Sequence, residues 1–318
     1  MANIKNRSEI IFIYDIRDAN PNGDVDENRP RIDEETGINI VTDVRLKRTI
    51  RDYLHDFKNQ DVFVREEREQ DGSLKTKEKL YDEYKTPEEI IKKCIDIRLF
   101  GGTFALKKDK KTKKDTESQD TSERAFSLTG PVQFKFGRSL HKVGEPTLIK
   151  GTTVLPSAEK KGAGTFWEAY ILPYSLICFY GIINENAAKN TGLTEGDIEL
   201  LIDGMWNGTK NLITRSKSGQ MPRLLLQIIY KESNYHIGDL DKKIALISEK
   251  PHEEIRTISE VKLDFTELAK VLGKNKDKIL KVRYLQDDDL QIVKENISVN
   301  IKSLVNNVEF QEIKLPKV

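Results

Sequence analysis

The sequence predicts an α+β fold of the ferredoxin-like type, and three observations predict it. The strong elements follow the order strand, helix, strand, strand, helix, strand, which is the split βαβ pattern with long insertions. Two apolar runs, residues 9–17 (EIIFIYDIR) and 223–230 (RLLLQIIY), have the length and the β-branched or aliphatic content of buried strands. Two segments of helical character lie between them, each opening on a threonine suited to capping, Thr42 and Thr194.

Taken in order, the first strand runs into DANPNGDVDENRPR, whose density of Asn, Asp, Pro and Gly predicts a structured loop. In the helix after Thr42, residues Leu46, Ile50, Tyr53, Leu54 and Phe57 recur at helical spacing and predict its buried face. Residues 60–93 are mostly charged, with a helix expected after Pro87, and Ile97–Phe100 reads as a short strand closed by Gly101 and Gly102. Residues 107–114 hold six lysines in eight positions and lead into a polar run; with nothing to bury, they predict a mobile loop. PVQFKF (131–136) alternates as a strand with one polar face, and residues 138–168 suggest a protruding hairpin. A strand around 169–183 leads to a helix near 194–213, where Thr194 and Asp197 form a capping-box pattern. The tail alternates short strands (257–263, 278–285) with helical segments and suggests no role.

Composition narrows the function classes. With 318 residues, 37% hydrophobic and 33% charged, the chain suits a soluble protein with a modest core. A formal net charge of +1 gives no whole-molecule field towards nucleic acid, so any such affinity must come from local clusters. Cys94 and Cys178 stand alone, without zinc or disulfide spacing, which fits a reducing cytoplasm. No signal peptide is evident at the N-terminus, and the longest near-apolar stretch, 171–183, is too short to span a bilayer; no membrane partner is expected. The four histidines lack metal spacing or a nucleophile partner, and no Walker A loop is present, so no catalysis and no cofactor are expected. Asp24 and Asp26 can bind Mg²⁺ or simply solvate their loop.

Four segments are candidates for binding. Arg45, Lys47, Arg48 and Arg51 occupy the helix after Thr42, where cations near the N-terminus oppose the macrodipole. A docked phosphate would reverse that penalty, and intrahelical ion pairs with Asp43 and Asp52 are the competing reading. Gly23 allows φ > 0 and close approach, and Asn20 and Asn22 offer amides to phosphate or 2′-hydroxyls; an ordinary turn accounts for them equally. Thr214–Gln220, with Arg215 and Lys217, suits phosphate contact or a polar connection. Arg138, His141, Lys142, Lys150, Lys160 and Lys161 lie near Phe166 and Trp167, a mixture that suits a single strand or an anchored loop.

DIRDANPNGDVDENRP with GINIVTDVRLKRTIRDYL, followed by IDIRLFGG, SLTGPVQFKFGRSL and ITRSKSGQMPRLLLQIIY, resembles the CRISPR-associated backbone subunits of type I Cascade, in the Csh and Csd branches of Cas family seven. The likeness spans residues 9 to about 231 and is nearest the Csh branch, type I-B. It implies a right-hand shape: an RRM-like palm, helical fingers and a β-hairpin thumb. The palm would comprise residues 1–59 and 97–137 (with a lysine-rich loop at 105–125), with its remainder and a C-terminal elaboration in 169–318; the fingers would be 60–96 and the thumb 138–168. It implies that copies stack along the CRISPR RNA, held by Asn20, Asn22, Gly23, Arg45, Lys47 and Arg48, with Arg215 and Lys217 clamping and the thumb, carrying Arg138, Lys160 and Lys161, displacing a nucleotide. Other Cascade subunits, target DNA as an R-loop and a recruited helicase–nuclease would be partners, with residues 107–114 facing the DNA. Near-zero net charge suits head-to-tail stacking of copies. Two alternatives stand beside this: a metal-dependent ribonuclease using Asp24 or Asp26, and a solitary RRM-like RNA-binding protein.

Overall fold

A computed structural model describes residues 3–84, 86–104, 126–152 and 166–316. The chain opens with β1 (Ser8–Ala19), β2 (Ile38–Val41) and α1 (Asp43–Asp56), then α2 (Lys77–Tyr84), α3 (Pro87–Lys93) and α4 (Ile95–Phe100). Next come β3 (Gly101–Phe104), β4 (Phe126–Thr129), β5 (Val132–Phe134), β6 (Gly137–Lys142), β7 (Thr147–Thr152) and the long β8 (Phe166–Ile183). Helices α5 (Glu185–Thr191) and α6 (Glu195–Lys210) precede β9 (Met221–Tyr230). The C-terminal part holds β10 (Ala245–Ile247), β11 (Lys262–Asp264), α7 (Thr266–Lys274), β12 (Ile279–Gln286), β13 (Ile292–Lys294), β14 (Ile297–Ser298) and β15 (Phe310–Glu312).

The main sheet runs β15-β12-β9-β1-β8-β6-β2, with β5 and β7 also paired to β8. β1 is antiparallel to both β8 and β9, and β6 is antiparallel to β8. β1 and β6 are therefore parallel with β8 between them, and β8 and β9 are parallel with β1 between them. Each βαβ unit is split by one strand of the other, the arrangement the element order predicted. On one face, Ile10, Phe12, Tyr14 and Ile16 pack against Leu46, Ile50 and Leu54 of α1 and Ile198, Leu201 and Met205 of α6.

The opposite face is also closed. Ile11 and Ile13 of β1, with Leu224, Leu226 and Ile228 of β9, pack against Leu240, Leu263, Phe265, Leu268, Leu272 and Leu304. The tail whose role the sequence left blank is this cover, which includes a second sheet, β10-β11-β13-β14. Burial on both faces explains why β1 reads as a continuous apolar run rather than an alternating one. Glu9 ties cover to sheet: its carboxylate accepts from the Tyr180 and Tyr230 hydroxyls and from the backbone N–H groups of Ile237 and Gly238.

Three local expectations are corrected. Ile97–Phe100 is helical, with the strand beginning at Gly101, because a short apolar run fits a buried helix as readily as a strand. The helix stops where Gly101 adopts φ 72°. Phe57 is the C-cap of α1 and half exposed, one residue beyond the buried stripe. Within 138–168, residues up to Lys142 belong to β6 of the main sheet, and among the described residues it is β7 that pairs with the first residues of β8 as a hairpin. Residues 107–114, Lys160 and Lys161 lie outside the described residues. Over 60–96, Phe63, Leu80, Tyr81, Tyr84, Ile90 and Cys94 form a small core of their own.

Candidate nucleic-acid interface

The C-terminal end of β1, the N-terminus of α1 and the segment entering β9 converge. Asn20 is 1% exposed: its Nδ2 donates to the Asn28 carbonyl at 2.6 Å, and its backbone N–H donates to the Ser216 carbonyl at 2.7 Å. Asn22 faces inwards, with Oδ1 accepting from the backbone N–H and hydroxyl of Thr42, each at 2.9 Å. Thr42 Oγ1 in turn accepts from the Arg45 N–H, completing the predicted N-cap. Asn22 thus supports the cap rather than offering its carbonyl outwards. Gly23 does not have positive φ; it is small because a Cβ there would lie 1.9 Å from Asn28 Oδ1. Close approach within the loop, not backbone handedness, calls for glycine.

The helix cations divide by environment. Lys47 is paired with Asp43 at 2.9 Å, and Arg48 with Asp52 at 2.7 Å, so both take the intrahelical alternative. Arg51 is paired with the buried Asp96. Arg45 differs. It is partly buried, donates to Thr49 Oγ1 at 3.1 Å, and among the described residues has no carboxylate ion pair and no partner for Nε. Burial holds its guanidinium below the ordinary value, with Arg48 acting in the same direction and Asp52 opposing. Lys217 is lowered by burial and then by the charge of Arg45, and its ammonium is bonded only to Ser216 Oγ among the described residues. Two partly buried cations without a carboxylate partner among the described residues therefore lie near enough for the charge of Arg45 to act on Lys217.

The remaining candidates are spread around this centre. Arg215 stacks on the Trp167 ring at 3.7 Å and Arg29 lies over Tyr170 at 4.8 Å, so two loops bear on the first part of β8. Arg138 is on β6 beside Asp33, lining a groove of about 650 Å³ with Arg29, Arg31 and Phe136. His141 is buried, and Lys142 and Lys150 pair with Glu253 and Glu168. Asp24 Oδ1 accepts from the N–H groups of Glu27 and Arg29, bracing the loop, while Asp26 is exposed. Among the described residues, no cluster of three or more His, Cys, Asp or Glu is placed to hold a metal ion, and no helix is long and apolar enough to cross a membrane. Sequence reasoning missed Arg29 and Arg31 as lining residues, because their place depends on loops that meet only in the fold.

A family model described as CRISPR-associated protein Cas7 matches residues 6–266, which includes every candidate above. The chain belongs to the CRISPR-associated Cas7 family. A curated relative of that name from Haloferax volcanii is 33% identical over 304 residues, covering 90% of this chain and 88% of its own. Among solved structures, a chain of a "CRISPR RNA-guided surveillance complex, pre-nicking" shares the fold of this Cas7-family protein with a TM-score of 0.54 at 12% identity, over 97% of this chain and 96% of that one. A chain of another "CRISPR RNA-guided surveillance complex" has a TM-score of 0.48 at 14% identity, with 92% and 90% covered. The family match runs beyond β9 into the cover, where the quoted sequence strings had ended.

Proposed function

We propose that this Cas7-family protein is a non-catalytic backbone subunit of a type I Cascade, gripping the sugar–phosphate chain of a CRISPR RNA at the Arg45–Lys217 centre. The observation that carries this is a pair of partly buried cations without carboxylate partners among the described residues: Arg45 in the first turn of α1, bonded to Thr49, and Lys217, bonded to Ser216, whose carbonyl accepts from the Asn20 N–H. A phosphate there would relieve their mutual repulsion and satisfy Arg45 Nε, and binding would release counterions from the RNA. Arg48 and Lys47, already paired, contribute less than their charge suggests. In this reading the main sheet is the palm, residues 60–96 are the fingers, and the β7–β8 hairpin, braced by Arg215 on Trp167, is the thumb that carries Lys160 and Lys161. Copies stack head to tail along the RNA and, with other subunits, support pairing to target DNA, which a recruited helicase–nuclease then cuts.

The test is the nucleic acid that co-purifies. The wild-type protein should carry short RNAs of uniform length sharing one repeated end. The double variant Arg45→Gln/Lys217→Ala should lose at least about tenfold of that RNA while its circular dichroism stays unchanged; charge-assisted contacts of about 1.5–3 kcal/mol each set that scale. Undiminished RNA would overturn the assignment of this centre. Sizing against RNAs of increasing length separates an array, which grows with the RNA, from a solitary module.

A further inference from the structure

One groove gathers residues from three parts of the chain: Arg29 and Arg31 from the loop after β1, Ile40 and Thr42 from β2 and the start of α1, and Phe136 and Arg138 from the junction of β5 and β6. Strand pairing fixes its floor. The Ile40 N–H donates to the Arg31 carbonyl at 2.8 Å, Ile32 is bridged antiparallel to Asn39, and Ile40 lies opposite Arg138 on β6. Residues directly opposite in antiparallel pairing carry their side chains on one face, so Arg31 and Arg138 flank Ile40, two strand spacings or about 10 Å apart. Phe136, two residues before Arg138, is 55% exposed, whereas Val132 and Phe134 before it turn inwards.

The three arginines differ in what answers them. Arg29 is 3.8 Å from Glu27 and lies over Tyr170, and Arg138 is 3.5 Å from Asp33; both ion pairs are solvent-exposed and weak. Arg31 is partly buried, has no carboxylate ion pair among the described residues, and its Nε has no partner there. A guanidinium so placed calls for an anion rich in acceptors. An exposed ring beside it calls for a flat partner, and a nucleotide carries base and phosphate on one unit. The groove, of about 650 Å³, has the size of a small-ligand site. Asp24 and Glu34 also line it; they repel a polyacidic peptide, whereas a base amine or sugar hydroxyl can donate to them. We propose that this groove holds one nucleotide of a single strand, its base against Phe136 and its phosphate between Arg31 and Arg138. Thr42, on the groove wall, caps the helix that carries Arg45. Taking the strand as guide RNA rests on the reading above and adds a contact beyond the Arg45–Lys217 centre, one that tolerates any base because every base has a face to stack.

The experiment is photo-cross-linking and fluorescence anisotropy of the full-length, nucleic-acid-free protein with a labelled single-stranded RNA carrying 5-iodouridine in place of uridine. On irradiation of the wild-type complex, mass spectrometry should place an adduct on Phe136. Phe136→Leu keeps an apolar side chain without a ring; it should lose that adduct and bind the RNA about tenfold more weakly, the scale of one base stacked on one ring. Arg31→Gln should weaken binding in Phe136→Leu no further than it does in wild type, since both act on one nucleotide. A wild-type adduct found only elsewhere, or undiminished affinity in Phe136→Leu, overturns the proposal and leaves the Arg45–Lys217 grip intact. Labelled polyglutamate that binds more tightly than the RNA, and is released by Arg31→Gln/Arg138→Gln, would mean that the groove takes an acidic protein segment instead, which also overturns it. Wild-type failure to bind the RNA overturns both readings.

Discussion

Arg45 and Arg48 stand three residues apart on one helix, yet a nearby carboxylate neutralises the second and not the first. The ion pair of Arg48 with Asp52 is solvent-exposed and of the i,i+4 type, a small contribution to stability and a reason to discount it as a ligand. His141 shows the same dependence on surroundings. The sequence placed it among cations suited to RNA, but it is buried, with Nδ1 facing the carbonyls of Lys142 and His252, and Nε2 accepting from the Leu176 N–H at 3.2 Å. Burial pushes its pKa below the ordinary 6.5, outweighing the two carbonyls and the more distant Glu253, and the neighbouring His252 adds to the lowering. The unfolded chain therefore binds a proton at this residue more readily than the folded one. Stability from neutral His141 is complete above about pH 6.5 and is lost as pH falls towards its depressed folded value. Urea midpoints at pH 7.5 and 5.5 should fall on acidification, and the fall should be smaller in His141→Gln. An equal fall in the variant would contradict this role.

At the scale of elements, α1 depends on a two-residue cap. Thr42 serves the Arg45 N–H, and Asn22 holds Thr42 from a loop twenty residues earlier. Thr42→Ala should cost about 1 kcal/mol, lowering the melting temperature by about 2–4 °C in circular dichroism. If Arg45 grips RNA as proposed, the same change should also weaken RNA binding, because the same turn positions Arg45. An unchanged melting temperature would mean the cap is replaceable. The cap, the capping box at Thr194 and Asp197, and the main strands were legible in the sequence because each is a local pattern. The helix at Ile95–Phe100 was not, since its anchor is long-range: buried Asp96 accepts from the N–H groups of Phe63 and Val64 and pairs with Arg51. The sheet membership of β6 was equally invisible, because its partners β2 and β8 are distant in the chain.

Across the whole molecule, the main sheet is sealed on both faces, unlike an RRM sheet that holds RNA on an open face. Under the proposed function, nucleic-acid contact falls to the loops at one sheet end and to the β7–β8 hairpin. The seal makes the C-terminal part essential to folding. A chain ending at residue 231 would expose Ile11, Ile13, Leu224, Leu226 and Ile228, each fully buried in the intact protein. It would also leave Glu9 without the N–H groups of Ile237 and Gly238. Burial worth about 1.5–3 kcal/mol per large side chain would be forfeited several times over, more than the usual margin of about 5–15 kcal/mol can absorb. Expression of this fragment should give aggregated protein in sedimentation, and a soluble, folded monomer would contradict the two-faced core.

The sequence by itself determined the split βαβ order, the capped helices, the Asn/Gly loop beside a basic helix, and the family to which these strings belong. Periodicity, capping and turn chemistry act over a few residues, so a linear reading reaches them. Only the tertiary structure decided which cations keep a free charge, that Asn22 and Gly23 serve the loop, that His141 is buried, and that the tail covers the sheet. Burial and pairing depend on residues far apart in the chain, and the same arginine is a solvated ion pair or a desolvated clamp according to what the fold brings beside it.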